Sequence, residues 1–195
     1  MQMQAPNRGD LVTFTLAASN TGNLAAAGTS LTVDGAVVSL LLIRDALPAN
    51  MTLASLASSY PGTLLYHQMG DAPTQFVTVA PADLAQVDVV ALGIAALAPG
   101  QTVSVQIGVR IGANAAGTNA NTAQVLYADG VNAGSVSVDS NNVQLALPPL
   151  PPGIRYFQDA SFSTQTGITT LGSALYVEAD AALCNQNSTV VETIT

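Results

Sequence analysis

The stretch Leu97 to Ile111 predicts a strand: it carries a turn at Pro99-Gly100, and from Thr102 onward it alternates without a break. Val103, Val105, Ile107, Val109 and Ile111 fall on one side, and Thr102, Ser104, Gln106, Gly108 and Arg110 on the other. A period of two belongs to an extended strand, whose successive side chains point to opposite faces, so this segment predicts a strand half buried against a second layer. The segment Leu11 to Ser19 repeats the pattern, with Val12, Phe14, Leu16 and Ala18 opposite Thr13, Thr15, Ala17 and Ser19. Asp34-Gly35, set between Leu31-Thr32-Val33 and Ala36-Val37-Val38, predicts a hairpin with a type I′ turn. The run Val37 to Ile43 is apolar on both faces and predicts a central strand that ends before Pro48. Shorter strands are expected at Met51 to Leu56, Thr63 to Gln68, Gln75 to Val79, Val87 to Ile94, Thr122 to Tyr127 and Val136 to Leu147, with one helical turn near Pro81 to Ala85.

Turn residues recur about every ten positions, the rhythm of a sandwich. No amphipathic helix is expected. Leu147-Pro-Pro-Leu-Pro-Pro-Gly153 then breaks the pattern with a proline-rich spacer, stiff in the polyproline conformation. The expected organisation is a β-sandwich module over 1–147, a linker over 148–153, and an incomplete second β unit or strand-donating tail over 154–195. That tail carries strand signals at Ile154 to Phe157, Ala174 to Ala179 and Thr189 to Ile194, the last at the end of the sequence.

Composition narrows the function. Apolar residues make up 49% of the 195, charged ones only 8%, and the cations are four arginines with no lysine. The surface must therefore be built from Ser, Thr, Asn, Gln and Gly. A net charge of -8 argues against nucleic acid, whose affinity comes from Lys and Arg at phosphates, and against an anionic membrane surface. No apolar run approaches the roughly 20 residues that span a bilayer. Met1 to Asp10 lacks a basic and apolar signal pattern, so an extracellular or cell-surface location rests on composition.

Four landmarks then stand in order: Gly9-Asp10-Leu-Val-Thr-Phe-Thr-Leu with Asn20-Thr21-Gly22; Asp45-Ala-Leu-Pro48; Leu97-Ala-Pro-Gly100 before the alternating strand; and Gly117-Thr118 with Asn121-Thr122-Ala123. On these, residues 5–147 resemble the repeat of large bacterial and archaeal surface proteins called domain of unknown function 11. The resemblance implies an immunoglobulin-like antiparallel β-sandwich serving as a spacer or adhesive module. Gly28 to Arg44 is longer than the usual pattern. Read physically, Asn20 and Asn121 can bond nearby backbone where strands leave the sheet, and the prolines and glycines punctuate strand ends.

Chemistry-bearing residues are few. Asp83 with Asp88, and Glu178 with Asp180, are the nearest carboxylate pairs, and solvated acids are the ordinary reading of each. Asp129-Gly-Val-Asn132 and Asp139-Ser-Asn-Asn142 offer oxygen donors without the spacing of a calcium loop. The lone histidine, His67, is placed on the outer face of a strand and has no second histidine to share a metal with. Cys184 is the single cysteine and reads as a half-buried thiol. No Gly-x-Ser-x-Gly elbow, phosphate loop or dinucleotide fingerprint occurs. Neither catalytic, cofactor nor metal residues are expected, and the chain is not expected to be an enzyme.

Binding candidates are pruned too. Tryptophan is absent and only nine Phe and Tyr occur, against the flat aromatic platforms of carbohydrate-binding domains. Lysine-to-asparagine cross-links cannot form. Asn50-Met51-Thr52 and Asn187-Ser188-Thr189 fit the short glycosylation pattern. The leading expectation is a non-enzymatic structural module, a spacer or a self-assembling subunit, whose partners are copies of itself or neighbouring repeats. Its tail would add a strand to a neighbour's sheet edge. The alternative is an adhesin that binds a surface ligand through loops at one end, Ser58 to Gly62 or Gly70 to Thr74.

Overall fold

The structure is a computed structural model that describes residues 6–131 and 134–148, and the backbone of 154–157 and 176–179. The chain divides into two compact units, residues 1–149 and 150–195. In the first unit the strands are β1 (Leu11–Ser19), β2 (Ala26–Ala27), β3 (Thr29–Val33), β4 (Ala36–Ala46), β5 (Met51–Ser58), β6 (Thr63–Gln68) and β7 (Gln75–Phe76). They continue as β8 (Val87–Ile94), β9 (Ala96–Leu97), β10 (Thr102–Ile111), β11 (Gly117–Asn121), β12 (Ala123–Tyr127), β13 (Val136–Asp139) and β14 (Val143–Leu147). A 3₁₀ turn at Leu84–Gln86 leads into β8.

One layer is the sheet β1-β10-β5. β1 and β10 pair antiparallel over nine residues, from Leu11 opposite Arg110 to Ser19 opposite Thr102, without a shift. The β10–β5 ladder shifts between Gly108 and Val109, because Gly108 faces Ser55 while Val109 faces Leu53, which leaves Ala54 as the extra residue of a bulge. A Cβ on Gly108 would sit 2.3 Å from Ser55 Oγ, so glycine is what lets that bulge close.

The facing layer is centred on β4, whose second half pairs β8 on one side and β12 on the other. Between the layers lies the main core. Val103, Val105, Ile107, Val109 and Ile111 of β10 all lie inside it, as alternation predicts, against Leu41 and Ile43 of β4 and Val90, Leu92 and Ile94 of β8. In its described residues the first unit is an all-β, immunoglobulin-like sandwich.

A second core fills the other face of β4 and β8. The Asp34-Gly35 turn has both residues at positive φ, 50° and 80°, and returns the chain from β3 to the first half of β4. β3 pairs β7 in parallel, the next residue, Val77, bridges Tyr66 of β6, and β6 pairs β8, which returns to β4. This closed ring encloses Leu31, Val33, Leu42, Leu65, Phe76 and Ala91. Burial on both faces of β4 is confined to its middle, Leu41 to Ile43, while Val37 is 77% exposed; the two-faced apolar run begins at the hairpin end, outside either core.

Other expectations need correcting. Thr122 to Tyr127 is preceded by β11, and Val136 to Leu147 is two strands separated at 140–142. β11 pairs β14 and β12 pairs β13, so the two halves form one kinked hairpin. In the second unit, described by itself, β15 (Ile154–Phe157) and β16 (Tyr176–Ala179) pair antiparallel. The expected strand at Thr189 to Ile194 lies outside the described residues.

Candidate functional site

Among the described residues the chemistry-bearing side chains can be followed to their partners. His67 shares the parity of Leu65 on β6, and both are buried, which corrects the expectation of an outer-face residue. Its Nδ1 lies 2.5 Å from Asp88 Oδ1 on the neighbouring β8, its Nε2 lies 3.1 Å from the Ala72 carbonyl, and its ring packs edge-on against Phe76. Both ring nitrogens are engaged, so neither faces a substrate; the pair pins the 70–74 loop to the ring of strands. Asp83 is not a partner of Asp88, since it caps the 3₁₀ turn by accepting from Ala85 N at 3.0 Å.

Asp45 was legible only as part of a strand end. It is 1% exposed, its Oδ2 accepts a hydrogen bond from Asn121 Nδ2 at 2.8 Å, and its Oδ1 has no partner among the described residues. Burial raises its carboxyl above the ordinary carboxylate range, against the downward pull of the Asn121 hydrogen bond. Two landmarks of the sequence thus meet in one buried contact. Asn121 bonds a side chain here, whereas Asn20 does bond backbone, donating to the Leu24 and Leu97 carbonyls and accepting from Gly22 N.

Three of the four arginines serve folding as well. Arg8 donates to the carbonyls of Ala115 and Pro148, Arg110 to that of Gly9, and Arg44 to the Gln124 side chain, which in turn donates to Asp139. Asp129 accepts from Val131 N within its own turn, and Ser140 bonds the backbone of Ala123 and Asn141. Among the described residues no three His, Cys, Asp or Glu side chains gather closely enough to hold a metal ion. Glu178 stands opposite Arg155 in the β15–β16 register; Asp180, Cys184 and Asn132 lie outside the described residues.

The loops named for ligand binding lack an aromatic anchor. Tyr60 is packed against the main core, with its hydroxyl 3.4 Å from Gln101 Oε1, and the 70–74 loop is tied down by His67.

What the molecule does present is a groove of about 860 Å³ between β1 and the β12–β13 arm of the kinked hairpin. Its walls are β1 from Thr13 onward, the loop that follows to Ala26, and residues of 121–143; its floor includes Phe14, Leu41 and Ile43 of the main core. Leu24, Val131, Val138 and Val143 stand around it at 46–83% exposure. Asp129 and Asp139 lie on its rim. Among the described residues β1 pairs with β10 alone and β13 with β12 alone, so the groove is flanked by two sheet edges.

Neither a family model nor a curated protein matches this chain. Among solved structures, domains D2 and D3 of the major pilin SpaD from Corynebacterium diphtheriae are similar at 14% identity and a TM-score of 0.42. That overlap covers 89% of this chain and 66% of the other, just under two thirds of its length. AvmM, which catalyses macrocyclization in alchivemycin A biosynthesis, is similar at 12% identity and a TM-score of 0.37, over 74% of this chain and 84% of that one. Both are too distant for any role to be carried across.

Proposed function

We propose that the chain is a non-enzymatic structural module of an extracellular or cell-surface prokaryotic assembly, acting as a spacer or self-assembling subunit whose copies join by β-strand addition. The observation that carries this reading is the groove beside β1: an apolar floor, exposed valines and leucine at the rim, and an unpaired edge within the same concavity. An unpaired strand is a row of N–H and C=O groups suited to another strand, and exposed apolar patches mark interaction surfaces. The engaged histidine supports the non-enzymatic half, since a general base needs a free nitrogen or oxygen within reach of a substrate. Low charge and the absence of lysine fit a surface built of small polar side chains.

Electron microscopy and sedimentation of the full chain test it. Ordered oligomers, filaments or end-to-end particles are expected. Isolated particles at every concentration, combined with saturable binding of a surface glycan or protein, would replace it with the adhesin reading.

A further inference from the structure

Among the described residues β1 is an edge without the usual guards. Sheet edges in soluble proteins are blunted by charges, proline, bulges or short length; β1 is nine residues long, Leu-Val-Thr-Phe-Thr-Leu-Ala-Ala-Ser, with neither a charge nor a proline. Its ladder to β10 runs without a shift. The opposite edge of the same sheet, β5, carries the bulge at Ala54, and the other edge at the groove, β13, has only four residues and ends in Asp139.

The direction of the unpaired groups follows from the ladder. Asn20 N donates to the Gln101 carbonyl at one end of β1, and Asp10 O accepts from Ile111 N at the other. In an antiparallel pair, residues bonded to the partner alternate with residues whose N–H and C=O point away. Even-numbered residues therefore face β10, and Leu11, Thr13, Thr15, Ala17 and Ser19 present their backbone groups to the open side, along the groove.

We infer that this edge is a two-fold interface: β1 pairs antiparallel with β1 of a second copy, centred on Thr15, fusing two three-stranded sheets into one of six strands. The inference rests on the reading of the chain as a self-assembling module. Charge admits this occupant and sets its direction. The groove rim holds Asp129 and Asp139, so the entering strand must be uncharged or cationic, and β1 is uncharged. Antiparallel pairing about Thr15 sets each Asp10 beside the partner's Asn20, with the two Asp10 residues about ten strand positions apart, roughly 34 Å; parallel pairing would set them side by side. The register also places Thr13 opposite Ala17 and Thr15 opposite Thr15, pairs that fit across a ladder. The added strand lies along the apolar rim formed by Leu24, Val131, Val138 and Val143.

The test uses the full chain. Sedimentation over a concentration series is expected to give a dimer or even-numbered assemblies. Thr15→Pro removes only an N–H that points away from β10, a position where edge strands tolerate proline, so the thermal midpoint should stay near the wild-type value while association weakens at least tenfold. Thr15→Lys, which sets two cations opposite each other, should do the same. Thr15→Cys in a Cys184→Ser background should oxidise to a covalent dimer, since opposed Cα atoms of a bonded pair lie within disulfide range. Gln106→Cys, on the outer face of the central strand, should not. A wild-type chain that is monomeric throughout overturns the interface and leaves the spacer reading standing. Association that survives Thr15→Pro overturns the interface and keeps self-assembly by another surface. Association lost in Thr15→Pro with no Thr15→Cys dimer overturns the two-fold, because a different strand, such as one from the tail, then fills the edge.

Discussion

The two flanks of the sandwich are finished differently. On one, β3, β7 and β6 wrap back to β8 and β4, every strand has a neighbour on the ring, and Phe76 and Leu65 are 1% and 0% exposed. On the other, β1 and the β12–β13 arm stop short of each other, leaving core residues at the bottom of an open groove. The same alternating patterns build both. What differs is whether the last strand has somewhere to pair among the described residues, and the contrast teaches that closing a core and leaving a backbone edge open are two outcomes of one strand pattern.

The closed flank should be where substitutions cost most. Phe76→Ala removes the largest buried side chain of the second core and the edge-on partner of His67, and should cost about 3–5 kcal/mol, read as a drop in the denaturation midpoint. Gly28→Ala comes next. Gly28 joins β2 to β3 across β4, and a Cβ there would meet Leu40 N at 2.6 Å and Ser39 C at 2.7 Å. Both atoms are backbone and cannot swing aside, so about 1–3 kcal/mol should be lost, together with protection of the β3–β4 amides from exchange.

The sequence was readable wherever the structure is decided locally. β1, β6 and β8 coincide with their predicted spans, because alternation and the flanking turns settle a strand without reference to its neighbours, and Asp34-Gly35 adopts the positive φ pair its turn requires. β11 escaped because Gly-Thr-Asn-Ala-Asn has no apolar face; its ladder to β14 needs only backbone groups, which every sequence supplies. His67 was misplaced by its polarity, although its parity with the apolar Leu65 was a usable signal. The Asp45–Asn121 contact spans 76 positions, and the groove is a missing neighbour, so neither leaves a local trace.

Asp45 bears on the boundary between the flanks, since its partner Asn121 lines the groove. Its native carboxyl titrates above the ordinary value of 3.8, so the folded state holds the proton more tightly than the unfolded one. The contribution of this group is therefore fully present below the unfolded value and is lost as pH rises through the raised native value. Asp45→Asn keeps an oxygen to accept from Asn121 and discards the buried charge. Its melting midpoint should exceed that of wild type by about 2–4 °C at pH 7, the response of a domain this size to about 1 kcal/mol. The advantage should shrink on acidification; a gain that is the same at pH 3 and pH 7 would mean that the charge is not its cause.

The smallest effect on folding belongs to the open flank. Val138 is 52% exposed on β13, so little of it leaves water when a single chain folds, and Val138→Ser should change the unfolding free energy by less than about 0.5 kcal/mol. Were the groove a finished surface, nothing else would follow. If instead the rim is buried when copies meet, the same substitution removes apolar area from the interface and hands a hydroxyl to it. Sedimentation should then register a weaker association for a variant whose denaturation curve overlays that of wild type. The pairing of those two measurements separates a valine that holds the fold from one that holds a neighbour: loss of stability without loss of association would assign Val138 to the core and close the distinction between the flanks.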